Sequence, residues 1–410
     1  MINLLHNVIK IALLCTVTLN ATDWYVNKNV TGNNNGTSPE NAWMNFSSID
    51  WPSIMPGDVI SILAGRYYEE LTIKNINGSK SSPIIIKGSG QVIIDAESQN
   101  RKYAVYQEYC SYVTVQDLVL NGGGHYAYRF RYNEYCRVIN VDIPAPYADG
   151  ISLKYNSNCE IAYCDIQTPE YVAEQSDCIY SQENINTIYH HNSLAVYNTY
   201  DYGHNDCLQM YKDHSTIVYN NYIIQQTEKT HNSQGIYSTN GTGVHRYYNN
   251  VIIMYNTQSN ALTFRRIDGT GTVEMYNNIV FGKRLYHALY ITETDDPIVI
   301  NNIFVSKYSG TIAEIKGWDG NAANIDYNVF YSSEGLKVIN FNGNNLSWND
   351  WQAYGFDRHG FNKDPKLKGN KLVPSAEFIT GSGKVISFFN IDFNNNYRLA
   401  NMWSIGAFEY

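Results

Sequence analysis

Three aspartates are spaced as if for one site: Asp149 in YADGISL, Asp177 in QSDCIYS and Asp206 in HNDCLQM, 28 and 29 residues apart. His204 stands two residues before the last of them. Carboxylates brought side by side repel unless they are protonated, hydrogen-bonded or bridged by a cation. Ca2+, which takes several carboxylate oxygens, would suit Asp149, Asp177 and Asp206 as a metal site. An imidazole beside them can take a proton. A structural reading competes: each carboxylate caps a backbone N–H where the chain turns a corner.

Residues so far apart meet only if the chain repeats. Asp149, Asp177, Asp206, Gln234, Asn260 and His287 recur at steps of 26 to 29 residues. A second series runs through VQDLVL, INVDI, IAYCDI, IYHHNSL, IVYNNYI, RYYNNVI, EMYNNIV, VINNIF and NIDYNVF. It marks Asp117, Asp142, Asp165, Asn192, Asn221, Asn250, Asn278, Asn302 and Asn328, at steps of 23 to 29. The intervening runs are short, rich in Ile, Val and Tyr, and bounded by Asn, Asp and Gly. That pattern predicts strands and tight corners rather than amphipathic helices.

Two registers locked together predict an all-β, single-domain parallel β-solenoid. The Asn series would hydrogen-bond from coil to coil. With GDVISILAGRYYEELTI and SPIIIKGSGQVII the stack has about eleven coils and a length of roughly 50 Å at ~4.8 Å per strand. The expected divisions are a signal peptide over 1–21, an N-terminal cap over 22–56, the solenoid over 57–330, and a C-terminal cap with closing strands over 331–410. The last would include a short helix at residues 347–354 with Ser347 as its N-cap.

Alternation along each strand then sorts the side chains. Three residues after each member of the first series stand Ser152, Tyr180, Gln209, Tyr237, Thr263 and Tyr290. Five after stand Lys154, Gln182, Tyr211, Thr239, Arg265 and Thr292. Both rows should face solvent. With Arg129 and Arg131 from YAYRFRY they form a trough with cations at its ends and tyrosines between. The loops QTPEYVAEQS, AVYNTYDYGHN and IIQQTEKTHNS, which enter this sheet, are long and bring His204 and His231. Long loops on a rigid scaffold commonly carry function.

The chain has 410 residues and a formal net charge of −9, which argues against nucleic acid as a partner. MINLLHNVIKIALLCTVTLNA reads as a secretory signal whose apolar run is too short to span a bilayer, and no later segment reads as a span. The mature protein is expected to be secreted or periplasmic. Six cysteines remain after cleavage. Cys136 and Cys159 fall at one point of successive coils, as do Cys178 and Cys207, which suits small core residues better than disulfides.

WYVNKNVTGNNNGTSPENAW, MPGDVISILAGRYYEELTI, NKDPKL and IGAFEY, together with the Asn corners, resemble exported right-handed parallel β-helix proteins of the pectate-lyase-like superfamily. The resemblance covers nearly all of residues 22–410. It implies the fold, and a polysaccharide as partner. That superfamily holds lyases, hydrolases, epimerases and non-catalytic members, so activity must be argued from the site.

The expected activity is a lyase cleaving a uronic-acid-containing glycan by β-elimination. His204, Asp206, Asp177, Lys154 and Arg265 are the catalytic candidates: His204 as base, Lys154 or Arg265 as partner of the substrate carboxylate, and the Asp column as the metal site. Tyr180, Tyr211, Tyr237, Gln209, Arg129 and His231 are the substrate-binding candidates. A C5-epimerase would need a second proton donor such as Tyr202 or Tyr211. A hydrolase would need two suitably spaced carboxyl groups. YADGISL and QSDCIYS are similar to the Asp motifs of polygalacturonases, although Ser176 stands where those enzymes carry another Asp. A glycan-binding surface protein needs no acid–base pair. The partner is expected to be an anionic polysaccharide, bound by a monomer.

Overall fold

The computed structural model describes residues 21–97, 100–168, 176–197, 204–226, 233–255, 259–267, 271–283, 285–307, 311–318, 324–334 and 339–409. The signal segment up to residue 20 and the middles of the three long loops, including Tyr202 and His231, lie outside the described residues.

Stacked coils form two sheets, of nineteen and twelve strands. The smaller carries the expected trough. Its strands are β1 (Leu71–Lys74), β2 (Val105–Glu108), β3 (Tyr126–Arg131), β4 (Asp149–Lys154), β5 (Ile179–Gln182), β6 (Leu208–Tyr211), β7 (Ile236–Thr239), β8 (Leu262–Ile267), β9 (Leu289–Thr294), β10 (Ala313–Lys316), β11 (Ile339–Phe341) and β12 (Asn344–Leu346). Each pairs in parallel with the next except β12, which turns back antiparallel on β11. The nine strands β2 to β10 have parallel neighbours on both sides, so about nine turns are fully formed. The sequence predicted about eleven coils, and the difference lies in the end windings.

The paired asparagines explain the corners. Asn220, Asn249, Asn277 and Asn301 adopt φ of +53°, +52°, +53° and +62°, a left-handed conformation that asparagine tolerates better than most residues. The second of each pair, Asn221, Asn250, Asn278 or Asn302, is buried and faces its equivalents. Asn250 Oδ1 accepts from Asn221 N and Asn221 Nδ2, both at 3.0 Å, while Asn250 Nδ2 donates to Val218 O at 2.9 Å. The ladder starts where Cys164 N donates to Asn192 Oδ1 at 3.0 Å and ends on Asp357. Asp165 is therefore not its first member. It pairs with Asp142 and Ser193, one residue beyond the ladder. Asp117 lies two residues before Val119, the partner of Asp142.

A second ladder at another corner was not read from the sequence. Asn133, Asn156, Asn184 and Asp213 each accept the backbone N–H of the coil before, at 3.1, 2.9, 2.9 and 2.8 Å. Ile, Val and Leu fill the space between the sheets, and the six cysteines are free and buried among them. Such burial is worth about 1.5–3 kcal/mol per large aliphatic side chain.

The helix α1 (Trp348–Ala353) has a capping box between Ser347 and Asp350 and sets Trp351 against the last coil. The chain beyond it does not only cover that end. Ile405, Ala407 and Phe408 pack along the flank, on Val251, Ile279 and Ile303. There the first asparagine of each pair holds the tail: Asn249 Nδ2 donates to Ile391 O at 2.8 Å, and Asn277 Nδ2 to Gly406 O at 3.1 Å. No helix among the described residues is long and apolar enough to cross a membrane.

Candidate functional site

Pairing of Ile151 with Ile179, and of Ile179 with Leu208, sets Asp149, Asp177 and Asp206 in one column at the entrances of β4, β5 and β6. The residue after each must be small. A Cβ on Gly150 would lie 2.5 Å from both Cys178 O and Ile166 Cγ2.

The capping role is present. Asp149 Oδ1 accepts from Asp177 N at 3.0 Å, Asp177 Oδ1 from Asp206 N at 2.7 Å, and Asp206 Oδ1 from Gln234 N at 2.6 Å. It occupies one oxygen of each carboxylate. Of the second oxygens, Asp177 Oδ2 is buried without a hydrogen-bond partner, and Asp206 Oδ2 lies 3.4 Å from His204 Nδ1. One ligand atom from each of Asp177, His204 and Asp206 falls within 4.8 Å of the others.

Burial makes this column electrostatically costly. It pushes the Asp149 carboxyl up to about 7, against the pull of the Asp177 N–H, Arg129 and Lys154. Asp177 is raised well above the usual carboxylate range by burial first and then by the charges of Asp149 and Asp206. Asp206 is raised by burial. The imidazole of His204 is shifted down, also chiefly by burial, while hydrogen bonds within its own residue and to Gln209 oppose the shift. A neutral imidazole and two adjacent carboxylates, one of them with an orphaned oxygen, form a donor set for a divalent cation, with Asp149 one coil away.

The column opens on a cleft of about 570 Å³ lined by His125, Tyr126, Asp149, Lys154, Asp177, Tyr180 and Gln209. Lys154 Nζ lies 5.7 Å from the centre of the Tyr180 ring. Its pKa is lowered, first by burial and then by Arg129 and Arg131. Arg129 is itself buried, donates to Ser152 Oγ at 3.0 Å, and sits over Tyr126 at 5.1 Å.

The two rows are aligned as the repeat predicts, but Ser152, Thr239, Thr263 and Thr292 in them are buried where solvent exposure was expected. Tyr180, Gln209, Tyr237, Thr263 and Tyr290 follow one another across β5 to β9, and Gln182, Tyr211, Thr239 and Arg265 across β5 to β8. Lys154 and Arg265 are thereby four strands apart, ~19 Å at the usual spacing. They do not meet at one substrate carboxylate. Tyr237 lies against His204, ring centres 5.6 Å apart, and Lys212 Nζ is 5.2 Å from the Tyr211 ring.

Sequence reasoning missed Tyr126, which pairs with Asp149 and so belongs to the same column. One more step of 23 residues back from Asp149 would have reached it. Many other tyrosines are scaffold. Tyr109, Tyr132 and Tyr155 stack at successive corners with ring centres 4.9 and 5.0 Å apart, and Tyr219 stacks on Tyr248 at 4.8 Å.

No protein-family model and no curated protein matches the chain. Among solved structures it is similar to pectate lyase Pel9A, with 15% identity and a TM-score of 0.62 over 95% of this chain and 96% of that one. It is also similar to XylC in complex with xylose, with 10% identity and a TM-score of 0.56 over 94% and 98%. At these identities the likeness is one of fold.

Proposed function

We propose that this chain, which has the right-handed parallel β-helix fold of the pectate-lyase-like superfamily, modifies an acidic polysaccharide by β-elimination. The observation that carries the reading is the pair of buried carboxylates Asp149 and Asp177, the latter with an orphaned oxygen, lining the same cleft as a lysine of lowered pKa.

Elimination at a uronate needs its carboxylate neutralised and the neighbouring C5 proton removed. Lys154, more readily neutral than an ordinary lysine, takes that proton. The C4–O bond then breaks as the C4–C5 double bond forms. Tyr180 lines the same cleft, and burial together with Asp177 and Asp149 holds its hydroxyl up at about 12. It therefore stays protonated and can donate to the leaving oxygen. Asp177 and Asp206, with His204, would hold a divalent cation, which when bound supplies positive charge to the substrate carboxylate. His204 faces Asp206 and Gln209, so its role in this scheme is to position that set rather than to act as the base.

The test is to incubate the protein, residues 22–410, with polygalacturonate and alginate and follow the ultraviolet absorbance of the unsaturated product. The absorbance should rise with the wild type and be lost in Lys154→Met and Asp177→Asn. Reducing ends without that absorbance would make the protein a hydrolase. Retention of the polymer with neither signal would make it a binder. Full activity of Lys154→Met would remove the proposed base.

A further inference from the structure

Past the reaction centre, the solvent face of the sheet contains a second set of unspent polar groups. Thr263 is almost wholly buried on that face, between Tyr237 on β7 and Tyr290 on β9, and its Oγ1 has no hydrogen-bond partner. A small residue between two tyrosines leaves a notch whose walls are two strand spacings apart, about 10 Å. Two residues on, and therefore on the same face, Arg265 holds its Nε buried and unpartnered. Its strand neighbours, Thr239 and Thr292, carry no charge.

Three other cations at the margins of this face are paired with acids. Lys74 and Arg131 pair with Glu108 at 3.6 and 3.2 Å, and Lys316 pairs with Glu314. Among the described residues, Arg265 has no acidic partner. A guanidinium with an unused donor, beside an unused hydroxyl that itself lies between two aromatic walls, is suited to a ring that carries a carboxylate.

We propose that the notch over Thr263 binds one uronate unit of the substrate, its ring between Tyr237 and Tyr290 and its carboxylate on Arg265. This rests on the reading of the cleft as acting on an acidic glycan. It adds that the chain must reach ~19 Å from Lys154 to Arg265 to be held at both places, so the protein selects long acidic chains over short ones. Arg265 is thereby a specificity-determining residue rather than a second partner for the reacting carboxylate.

The experiment measures retention of polygalacturonate and alginate in native affinity gels. The comparison is made in the Lys154→Met background, so that turnover does not shorten the polymer. Arg265→Gln should weaken retention about tenfold, the loss of a charge-assisted hydrogen bond. Arg265→Lys should restore part of it. Retention of a neutral xylan should not respond to either change. Thr263→Val, which removes the hydroxyl and keeps the shape, should weaken retention by a smaller factor. Equal retention by Arg265→Gln and its parent would overturn the notch and leave the proposed activity standing. No retention of either acidic polymer, together with no ultraviolet product from the wild type, would overturn both. A thermal melt of each variant guards against misfolding, and an Arg265→Gln protein that melts early while Arg265→Lys binds normally still supports the charge.

Discussion

Replacing Asp213 by asparagine should flatten the dependence of stability on pH by about 4 kcal/mol between about pH 4 and pH 8. Asp213 closes the second ladder: its Oδ1 accepts from Asn184 N at 2.8 Å, and its Oδ2 accepts from the Ser181 hydroxyl. Burial raises its carboxyl to about 7, whereas in the unfolded chain it titrates near 3.9. Below about pH 4 both states are protonated, and the folded state keeps whatever Asp213 contributes. As the pH rises, the unfolded chain ionises first, so unfolding becomes easier until the folded group also ionises near pH 7. Roughly three pKa units at 1.36 kcal/mol each give about 4 kcal/mol lost across that window. Asparagine at this position does not titrate and keeps the Oδ1 acceptor. Its amide would face a Ser181 Oγ that already accepts from Tyr189 and Asn184, a pH-independent cost of about 1–3 kcal/mol. The variant should thus be less stable than the wild type at low pH and more stable by about 1–3 kcal/mol near pH 8. Urea unfolding of both proteins across this range measures the difference, in which the other carboxylates cancel. A difference that stays constant within about 1 kcal/mol would refute the account of Asp213 as a buried, neutral ladder terminus.

Asn250→Ala removes a fully buried ladder member with partners in the coils on both sides and should cost about 3–5 kcal/mol by urea unfolding. Asn249→Ala should cost less but expose the tail to proteolysis, since Asn249 holds Ile391 O and Arg398. Adding Ca2+ at about a hundred times its dissociation constant should stabilise the wild type by about 2.7 kcal/mol, with no effect in Asp206→Asn; an unchanged wild-type melting temperature would remove the cation from the scheme. Gly150→Ala drives a methyl into Cys178 O and Ile166 and should lower stability by about 1–3 kcal/mol in a thermal melt.

The solenoid was legible because its physics is periodic. The second Asn of each NN pair must face its equivalents to satisfy buried backbone, and that requirement repeats along the chain. Asp165 was misplaced by one residue because Cys164 fills the ladder position there, and Cys164 N–H can donate to Asn192 Oδ1 without a polar side chain of its own. The Asn133 ladder escaped notice because its members lie among differing neighbours (YNEYC, YNSNC, ENIN) with no doublet to mark them. The path of the tail along the flank was not legible either. It depends on the first Asn of each pair, which the sequence reading treated only as part of a corner. Lys154 and Arg265 were named as alternative partners of the substrate carboxylate, and the sequence alone could not choose between them, because the repeat places both on the same face and does not say where along it the cleft opens.

The choice between Asp and Asn at the corners separates scaffold from site. Inside the two long ladders the chain uses Asn, whose amide both accepts from one coil and donates to another without charge; a carboxylate appears only at the closing positions, Asp213 and Asp357. Asn at 149, 177 and 206 would cap the same backbone N–H groups, since each Asp spends only Oδ1 on that task. Yet three carboxylates stand there in succession, with Asp177 raised partly by the charges of its two neighbours. Capping cannot account for that repulsion, because the neutral residue would cap as well. The cost is explained if these carboxylates meet positive charge in the working protein, from a cation, from Lys154, or from both. Asn substituted at all three positions should therefore leave the coils stacked, or stack them better, while removing whatever chemistry the cleft performs.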